Sequence, residues 1–261
     1  MYDYHIHSTY SLDSREKMET TVKKALAVGL KEIVFTDHIE FESGYFHEIF
    51  DVPEYKREIE GLQQKYPHIS IKTGVEIGFQ PHLLNLCNEF TKAHDFDFII
   101  GSVHTVGHSD LYMGNIFKNS GPKAGINKYF EELYYVIRDG AIFNVAGHFD
   151  LVKRYVEYDC PSVFKENFDL IEASFKKLIE RGMGIEINTS GFRYGLNSPH
   201  PSEDFLRLYK EMKGEIITIG SDSHRAETLA YKFDYVYALL EKLGFKYVST
   251  FDKGKVSFSK L

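Results

Sequence analysis

The sequence has few cysteines, no tryptophan and no long apolar run. Two cysteines, Cys87 and Cys160, occur among 261 residues, which excludes a disulfide framework, and they lack the spacing of a cysteine metal motif. We expect both thiols to be reduced, as is usual in the cytoplasm. No apolar stretch approaches the roughly 18 residues of a membrane span, and the first residues lack the cationic and apolar segments of a signal peptide. The sequence therefore predicts a cytoplasmic protein with no membrane partner.

The charge balance is acidic, with 31 Lys and Arg against 38 Asp and Glu residues and a net charge of -7. Non-specific nucleic-acid binding needs a basic face, so we expect no nucleic-acid partner, although bound metals could supply local positive charge. The length fits one large α/β domain or two small ones. No repeat, low-complexity tract or linker divides the chain, so we predict a single domain over 1–261. The sequence leaves the oligomeric state open.

Short apolar runs alternate with amphipathic ones from end to end. Seven runs rich in Val, Ile and Phe are typical of strands: 2–7, 32–37, 69–77, 96–104, 142–148, 184–189 and 215–221. Helical periodicity lies between or after them, at 22–28, 55–65, 83–93, 126–138, 164–181, 202–212 and 226–243, and a long loop is predicted at 107–125. Such strand–helix units predict a parallel sheet with crossover helices. Periodicity alone leaves a barrel and an open sheet possible, but no glycine-rich nucleotide-binding fingerprint supports the open sheet.

Six of the twelve histidines stand at or just after the carboxyl ends of five predicted strands. They are His5, His7, His38, His104, His148 and His224. In parallel α/β folds these ends carry the active site. A single histidine there is more often a packed or solvated side chain, but six imidazoles at one point need partners that apolar packing does not supply. The six therefore predict a shared site.

Carboxylates follow the same pattern, with Glu76 ending the third strand, Asp222 ending the last and Asp13 following the first. The i, i+2 spacing of His5 with His7, and of Asp222 with His224, places each pair on one face of an extended strand. Mixed imidazole and carboxylate ligands suit Zn, Mn or Fe. Tetrahedral zinc takes four ligands, so this larger set predicts two or three ions.

Six ordered motifs resemble those of the PHP (polymerase and histidinol phosphatase) superfamily. They are His5-x-His7, Thr36-Asp-His38, Gly74-x-Glu76, Gly101-Ser-Val-His104, Gly147-His148 and Ser221-Asp-Ser-His224. Each motif is weak alone, but together, in the family's order and over nearly the whole chain, they are specific. The resemblance implies a distorted (β/α)7 TIM-like barrel with its metal site at the carboxyl ends of the strands.

The resemblance also implies how the ligands are shared. One ion takes His5, His7, Glu76 and Asp222, a second shares Glu76 and adds His104 and His148, and a third takes Asp13, His38 and His224. Some members of the family have a histidine where Asp13 stands. An aspartate is still a competent ligand, but it could change which metal binds there.

Three segments are most similar to the histidinol-phosphate phosphatases of the superfamily, at 36–41, 101–105 and 186–190. This resemblance implies a metal-dependent phosphoric monoester hydrolase that converts L-histidinol phosphate to L-histidinol and phosphate in histidine biosynthesis. Arg154 and Arg193 stand where such enzymes hold the phosphate. The planar fork of each can bind two phosphate oxygens, and a solvated surface arginine is the alternative.

Roles in catalysis are less determined. Glu76 would bridge two ions, and either Asp222 or His224 could relay the proton that the leaving oxygen needs. Glu40, Glu42 and Asp150 could meet a substrate ammonium or be solvated charges. Two other functions remain possible: a phosphoesterase acting on nucleotides or other small phosphate esters, and a non-catalytic metal-binding module.

Overall fold

The computed structural model describes residues 1–43, 46–157 and 160–261. Its strands in chain order are β1 (Tyr2–Ile6), β2 (Glu32–Phe35), β3 (His38–Ser43), β4 (Phe46–Glu48), β5 (Ser70–Gly78), β6 (Phe98–Ser102), β7 (Thr105–Val106), β8 (Ser109–Asp110), β9 (Val145–Ala146), β10 (Gly184–Asn188), β11 (Ile217–Gly220), β12 (Tyr247–Asp252) and β13 (Lys255–Lys260). Its α-helices are α1 (Met18–Ala27), α2 (Val52–Lys65), α3 (Leu84–Ala93), α4 (Asn115–Ser120), α5 (Pro122–Arg138), α6 (Cys160–Glu166), α7 (Phe168–Glu180), α8 (Ser190–Arg193), α9 (Glu203–Glu211) and α10 (Phe233–Lys242). Short 3-10 helices cover Pro81–Leu83, Leu151–Arg154 and Ala226–Thr228.

Seven strands form a nearly closed barrel in the order β1, β2, β5, β6, β9, β10, β11. Every neighbouring pair along this path is parallel. Just beyond the last strand, a parallel bridge joins Ser223 back to Ile6, and the His7 N–H donates to the Ser223 carbonyl at 2.9 Å. The predicted seven-stranded barrel is confirmed.

A small apolar layer fills the barrel below the site. Its members are Tyr4, Val34, Phe98, Ile100, Val145 and Phe251. The first five lie on β1, β2, β6 and β9, whose carboxyl ends lead into the site. Phe251 comes from the β12–β13 hairpin, where its N–H donates to the Tyr4 hydroxyl at 2.9 Å. A larger core lies between the strands and the helices, as on the buried face of α7, with Ile171, Phe175 and Leu178. Burial on both faces explains why the barrel strands are nearly continuous apolar runs.

An irregularity in β1 aims the first histidine. Asp3 pairs with Ile33 and Ile6 with Phe35, so β1 carries one residue more than β2 over this stretch. A bulge of this kind re-aims a side chain. Tyr4 therefore packs into the apolar layer while the next residue, His5, reaches the site.

Four predicted elements differ from the structure. The strand predicted at 142–148 is only the two-residue β9. The helix predicted at 164–181 is two helices, α6 and α7, which meet at Asn167, where the side-chain amide donates to the Val163 carbonyl at 2.8 Å. The helix predicted at 226–243 begins only at Phe233, because Ala230 and Lys232 have positive φ. The loop predicted at 107–125 contains the end of the β7–β8 hairpin, helix α4 and the start of α5.

The thiol prediction is supported where it can be examined. Cys87 is buried and free, and burial, with the charge of Glu40, raises the pKa of its thiol to about 12. The side chain of Cys160 lies outside the described residues. No helix in the described ranges has both the length and the apolar composition to cross a bilayer.

Candidate metal centre

Glu76 lies at the centre of the imidazole cluster and is buried on β5. Its Oε2 is 3.2 Å from His5 Nε2 and 3.0 Å from His38 Nδ1. Its Oε1 is 2.8 Å from His148 Nε2 and 3.3 Å from His104 Nε2. Each oxygen thus faces a different pair of imidazoles, which is the arrangement that a bridging carboxylate requires.

The remaining predicted ligands continue this cluster toward the opening of the barrel. His7 Nε2 is 3.0 Å from His5 Nε2 and 3.4 Å from Asp222 Oδ1. Asp222 Oδ1 is 3.6 Å from His224 Nδ1, and His224 Nε2 is 3.0 Å from Asp13 Oδ2. Asp13 has a side chain 58% exposed, so it stands at the outer edge. The structure therefore brings all nine predicted residues together.

The chemistry of this cluster fits divalent cations. Nε2 atoms of two imidazoles face each other at 3.0 Å in the His5–His7 pair and at 3.3 Å in the His104–His148 pair. Two such nitrogens can share one proton, but they can also direct both lone pairs at one cation. Nδ1 of His38 is buried near Glu76 without hydrogen-bond geometry to any described group. Crowded imidazole nitrogens and carboxylate oxygens are the donors that zinc, manganese and iron accept.

Burial and neighbouring charges together set the pKa values of the ligand side chains. Burial disfavours a charged imidazole, yet Glu76 and Glu40 raise the pKa of His104 to about 10. Burial would raise the pKa of Glu76, but His5, His104 and His38 hold it well below its usual range. For His7, burial and the neighbouring His224 and His38 lower the pKa to about 3. The carboxylates therefore hold a proton on His104, while His7 stays neutral among the other imidazoles and keeps a lone pair for a cation.

A cavity of about 960 Å³ opens from this cluster. Both predicted phosphate-binding arginines line it. Nη2 of Arg154 is 3.6 Å from Asp222 Oδ2, and its guanidinium stacks 3.9 Å from the ring centre of Tyr194. Arg193 instead donates from Nη1 to the Ser221 carbonyl at 2.7 Å and from Nη2 to the Asp222 carbonyl at 2.8 Å. Nη2 of Arg154 also donates to Ser190 Oγ, so both guanidinium groups have partners. Arg154 lies beside the carboxylate of Asp222, while Arg193 is bound to the turn that carries Asp222.

Comparison with known proteins agrees with this geometry. The family model for the PHP domain matches residues 3–190. The chain belongs to the PHP domain family. It is 33% identical to the histidinol-phosphatase of Lactococcus lactis over 99% of this chain and 97% of that protein. It is 30% identical to a probable histidinol-phosphatase of Clostridium acetobutylicum over 94% of this chain and 95% of that protein. A crystal structure of the Lactococcus lactis histidinol phosphate phosphatase with zinc, L-histidinol and phosphate matches with a TM-score of 0.90, 31% identity and 98% coverage of each chain.

A second set of acceptors lies behind the imidazoles of this PHP domain, and the sequence did not predict this role for them. Glu186 Oε1 is 2.6 Å from His5 Nδ1, and its Oε2 accepts from the backbone N–H of His148 at 2.8 Å. Glu40 Oε1 is 2.5 Å from His104 Nδ1. Partners of this kind fix the tautomer and orientation of a metal-binding imidazole. The available signal was a glutamate inside the apolar strand β10, which needs a buried partner.

The prediction that Asp222 and His224 share one face of an extended strand was wrong. Strand β11 ends at Gly220, and Asp222 adopts a left-handed φ of 54°. A tight turn, not an extended strand, therefore turns Asp222 toward His7. A Cβ on Gly220 would collide with Glu186 and with Cβ of His5, so glycine is required where this turn begins.

All three acidic groups considered for a substrate ammonium have other partners within the protein. Asp150 is buried and accepts from Lys153 Nζ at 2.6 Å and from the Ser202 N–H at 3.1 Å, with His200 Nδ1 at 2.6 Å from its other oxygen. Glu40 supports His104, as described above. Glu42 lies farther out, in a cluster of its own.

Proposed function

We propose that this PHP-domain chain is a metal-dependent phosphatase that hydrolyses L-histidinol phosphate to L-histidinol and phosphate. The observation that carries the proposal is the cluster of nine ligand-type side chains beside an arginine-lined cavity. Near full-length similarity to histidinol-phosphatases supports the substrate. We also propose that it acts in histidine biosynthesis and in the cytoplasm.

We propose two or three bound cations of zinc, manganese or iron. His5, His7 and Asp222 would hold one of them, His104 and His148 a second, with Glu76 between the two. The edge of the cluster, with Asp13, His38 and His224, would hold a third. Cations bound there would lower the pKa of water and offset phosphate charge.

Arg154 is the side chain best suited to hold the phosphate. Its guanidinium is almost fully buried beside Asp222, so charge-assisted bonds to phosphate oxygens would form in a low-dielectric environment. Stacking on Tyr194 fixes the plane of the fork. Arg193 contributes by holding the carbonyls on either side of Cα of Asp222, and its charge adds to the positive potential at the cavity wall.

Asp222 and His224 are the two candidates for moving a proton to the leaving oxygen. Its Oδ1 faces His7 and its Oδ2 faces Arg154. Burial would raise its pKa, but His5, His7, His224 and Arg154 keep it well below the usual value, so Asp222 is ionised at neutral pH, as a metal ligand requires. The two nitrogens of His224 already face Asp13 and the Asp222 carbonyl. Both side chains also belong to the proposed ligand set, and we propose that one of the two relays the proton to the leaving oxygen.

The test is kcat/KM for phosphate release from L-histidinol phosphate, beside a generic aryl phosphate and a nucleoside monophosphate, with manganese- or zinc-loaded protein. A preference of several orders of magnitude for histidinol phosphate is expected. Equal and slow turnover of all three esters would support a metal-dependent phosphoesterase but contradict histidinol phosphate as its substrate. Metal binding without turnover of any ester would contradict the proposal that the chain is a phosphatase.

We also propose that 1–261 form a single domain. Support comes from the C-terminal hairpin, because Phe251 of β12 packs inside the barrel against Tyr4 and Phe98. Removing the hairpin is expected to unfold the barrel, whereas a folded barrel lacking 247–261 would contradict the proposal.

A further inference from the structure

A second group of potential ligands lies apart from the metal centre. It consists of Glu42, His82 and His108, here called the rim cluster. His82 Nε2 is 2.9 Å from Glu42 Oε2, and His108 Nδ1 is 2.8 Å from Glu42 Oε1. The two imidazole ring centres are 4.5 Å apart, with the rings tilted by 45°.

Three separate segments build the rim cluster. Glu42 lies near the end of β3, His82 is in the 3-10 helix Pro81–Leu83, and His108 is in the turn between β7 and β8. Gly107 and His108 have φ of 56° and 61°, the left-handed pair of a two-residue hairpin turn. This turn projects His108 toward Glu42. Gln80 donates from its side chain to the Glu42 carbonyl, which fixes the segment before His82 against β3.

The donor set has the composition of a zinc site. Two imidazole nitrogens and one carboxylate are three of the four ligands that zinc takes, and water can supply the fourth. All of the ligand atoms lie within 4.8 Å of one another. The side chains are 39%, 40% and 68% exposed for Glu42, His82 and His108, so an ion can enter from solvent.

We propose that the rim cluster binds one divalent cation of the zinc class, in addition to the ions of the barrel centre. The ion would tie the hairpin turn to β3. Glu40, two residues before Glu42 on β3, supports His104, and Asp110 at the far end of the hairpin lines the cavity. Occupancy of the rim cluster therefore restrains one wall of the cavity.

The first experiment counts zinc. Protein whose barrel centre is already loaded is dialysed against increasing zinc, and zinc per chain is measured by atomic emission. Wild type should take up one more zinc per chain than His82→Ala or His108→Ala, and Glu42→Gln should need a higher concentration. The matched control is His68→Ala, which removes an exposed histidine outside the cluster. Equal uptake by wild type and both histidine variants, or an equal loss in His68→Ala, would overturn the proposal.

A second experiment follows hydrogen exchange in the hairpin, where Val106 pairs with Ser109. When the free zinc concentration is about ten times the dissociation constant of the rim cluster, any opening of the hairpin that releases the ion should become about tenfold rarer. Exchange at this pair should slow accordingly in wild type and not in His108→Ala. Zinc-independent exchange in wild type would overturn the restraint on the hairpin. Neither readout uses turnover, so both stand apart from the substrate assignment.

Discussion

At the scale of single residues, the orientation of an imidazole depends on what lies behind it. His5 presents Nε2 to the cluster because Glu186 faces Nδ1 at 2.6 Å. Losing such a support typically costs 10- to 100-fold in metal affinity or activity. We expect Glu186→Gln to weaken metal binding by about that factor, measured by competition with a chromophoric chelator. The control is Glu180→Gln, which alters an exposed glutamate of α7 and should match wild type. Unchanged metal affinity in Glu186→Gln would contradict the role of Glu186 in orienting His5.

The sequence predicted the metal ligands better than their supports for a physical reason. His5 lies on β1 and His7 directly follows it, and their spacing of two is visible in a single sequence. Glu186 acts on His5 from a strand about 180 residues away in the chain, and no local pattern reports that distance. The left-handed φ of Asp222 is likewise invisible, because a turn and a strand end can share the same residues.

At the scale of elements, the loops after β9 and β10 are held together by a buried charge cluster. Asp150, at the start of the 3-10 helix that carries Arg154, binds Lys153 and His200. Periodicity predicted most of the neighbouring helices. It did not predict this contact or the breaks at Asn167 and Lys232, because these depend on side-chain bonds and backbone angles rather than on the apolar pattern.

This cluster makes a pH-dependent prediction. Burial would raise the pKa of Asp150, but Lys153 and His200 lower it below its usual value. Its charged form therefore stabilises the fold above the unfolded pKa of about 3.9, and this stability is lost as pH falls through the lower, folded pKa. We expect Asp150→Asn to lower the free energy of unfolding by about 3–5 kcal/mol at pH 7, because Lys153 loses its buried partner.

Urea unfolding checks this prediction, and the difference from wild type should shrink below about pH 4. Asp139→Asn, at an exposed pair with Arg138, is the control and should change stability little. A difference for Asp150→Asn that is the same at pH 7 and pH 3 would show that charge is not the cause.

At the scale of the whole molecule, metal loading is coupled to protons. Glu76 and Glu40 raise the pKa of His104 to about 10 despite burial, so this imidazole holds a proton at pH 7 when no cation is bound. A metal ligand must be deprotonated. Zinc loading at pH 7 should therefore release protons, and the affinity should fall as pH falls. Calorimetry in two buffers of different ionisation enthalpy measures the release, and identical heats in both would contradict it.

The same coupling links the ions to the stability of the barrel. The proposed ligands stand on or after β1, β2, β5, β6, β9 and β11, so bound cations connect strands from most of the barrel. An ion present at about a thousand times its dissociation constant stabilises the fold by about 4 kcal/mol. For a domain of this size, that corresponds to roughly 10 °C in Tm.

Prolonged chelation should lower Tm by about this amount and abolish phosphate release, and metal should restore both. Glu76→Ala provides the matched comparison, because the loss of its bridging carboxylate should make Tm largely insensitive to metal. An unchanged wild-type Tm after stringent metal removal would show that the fold does not depend on the ions.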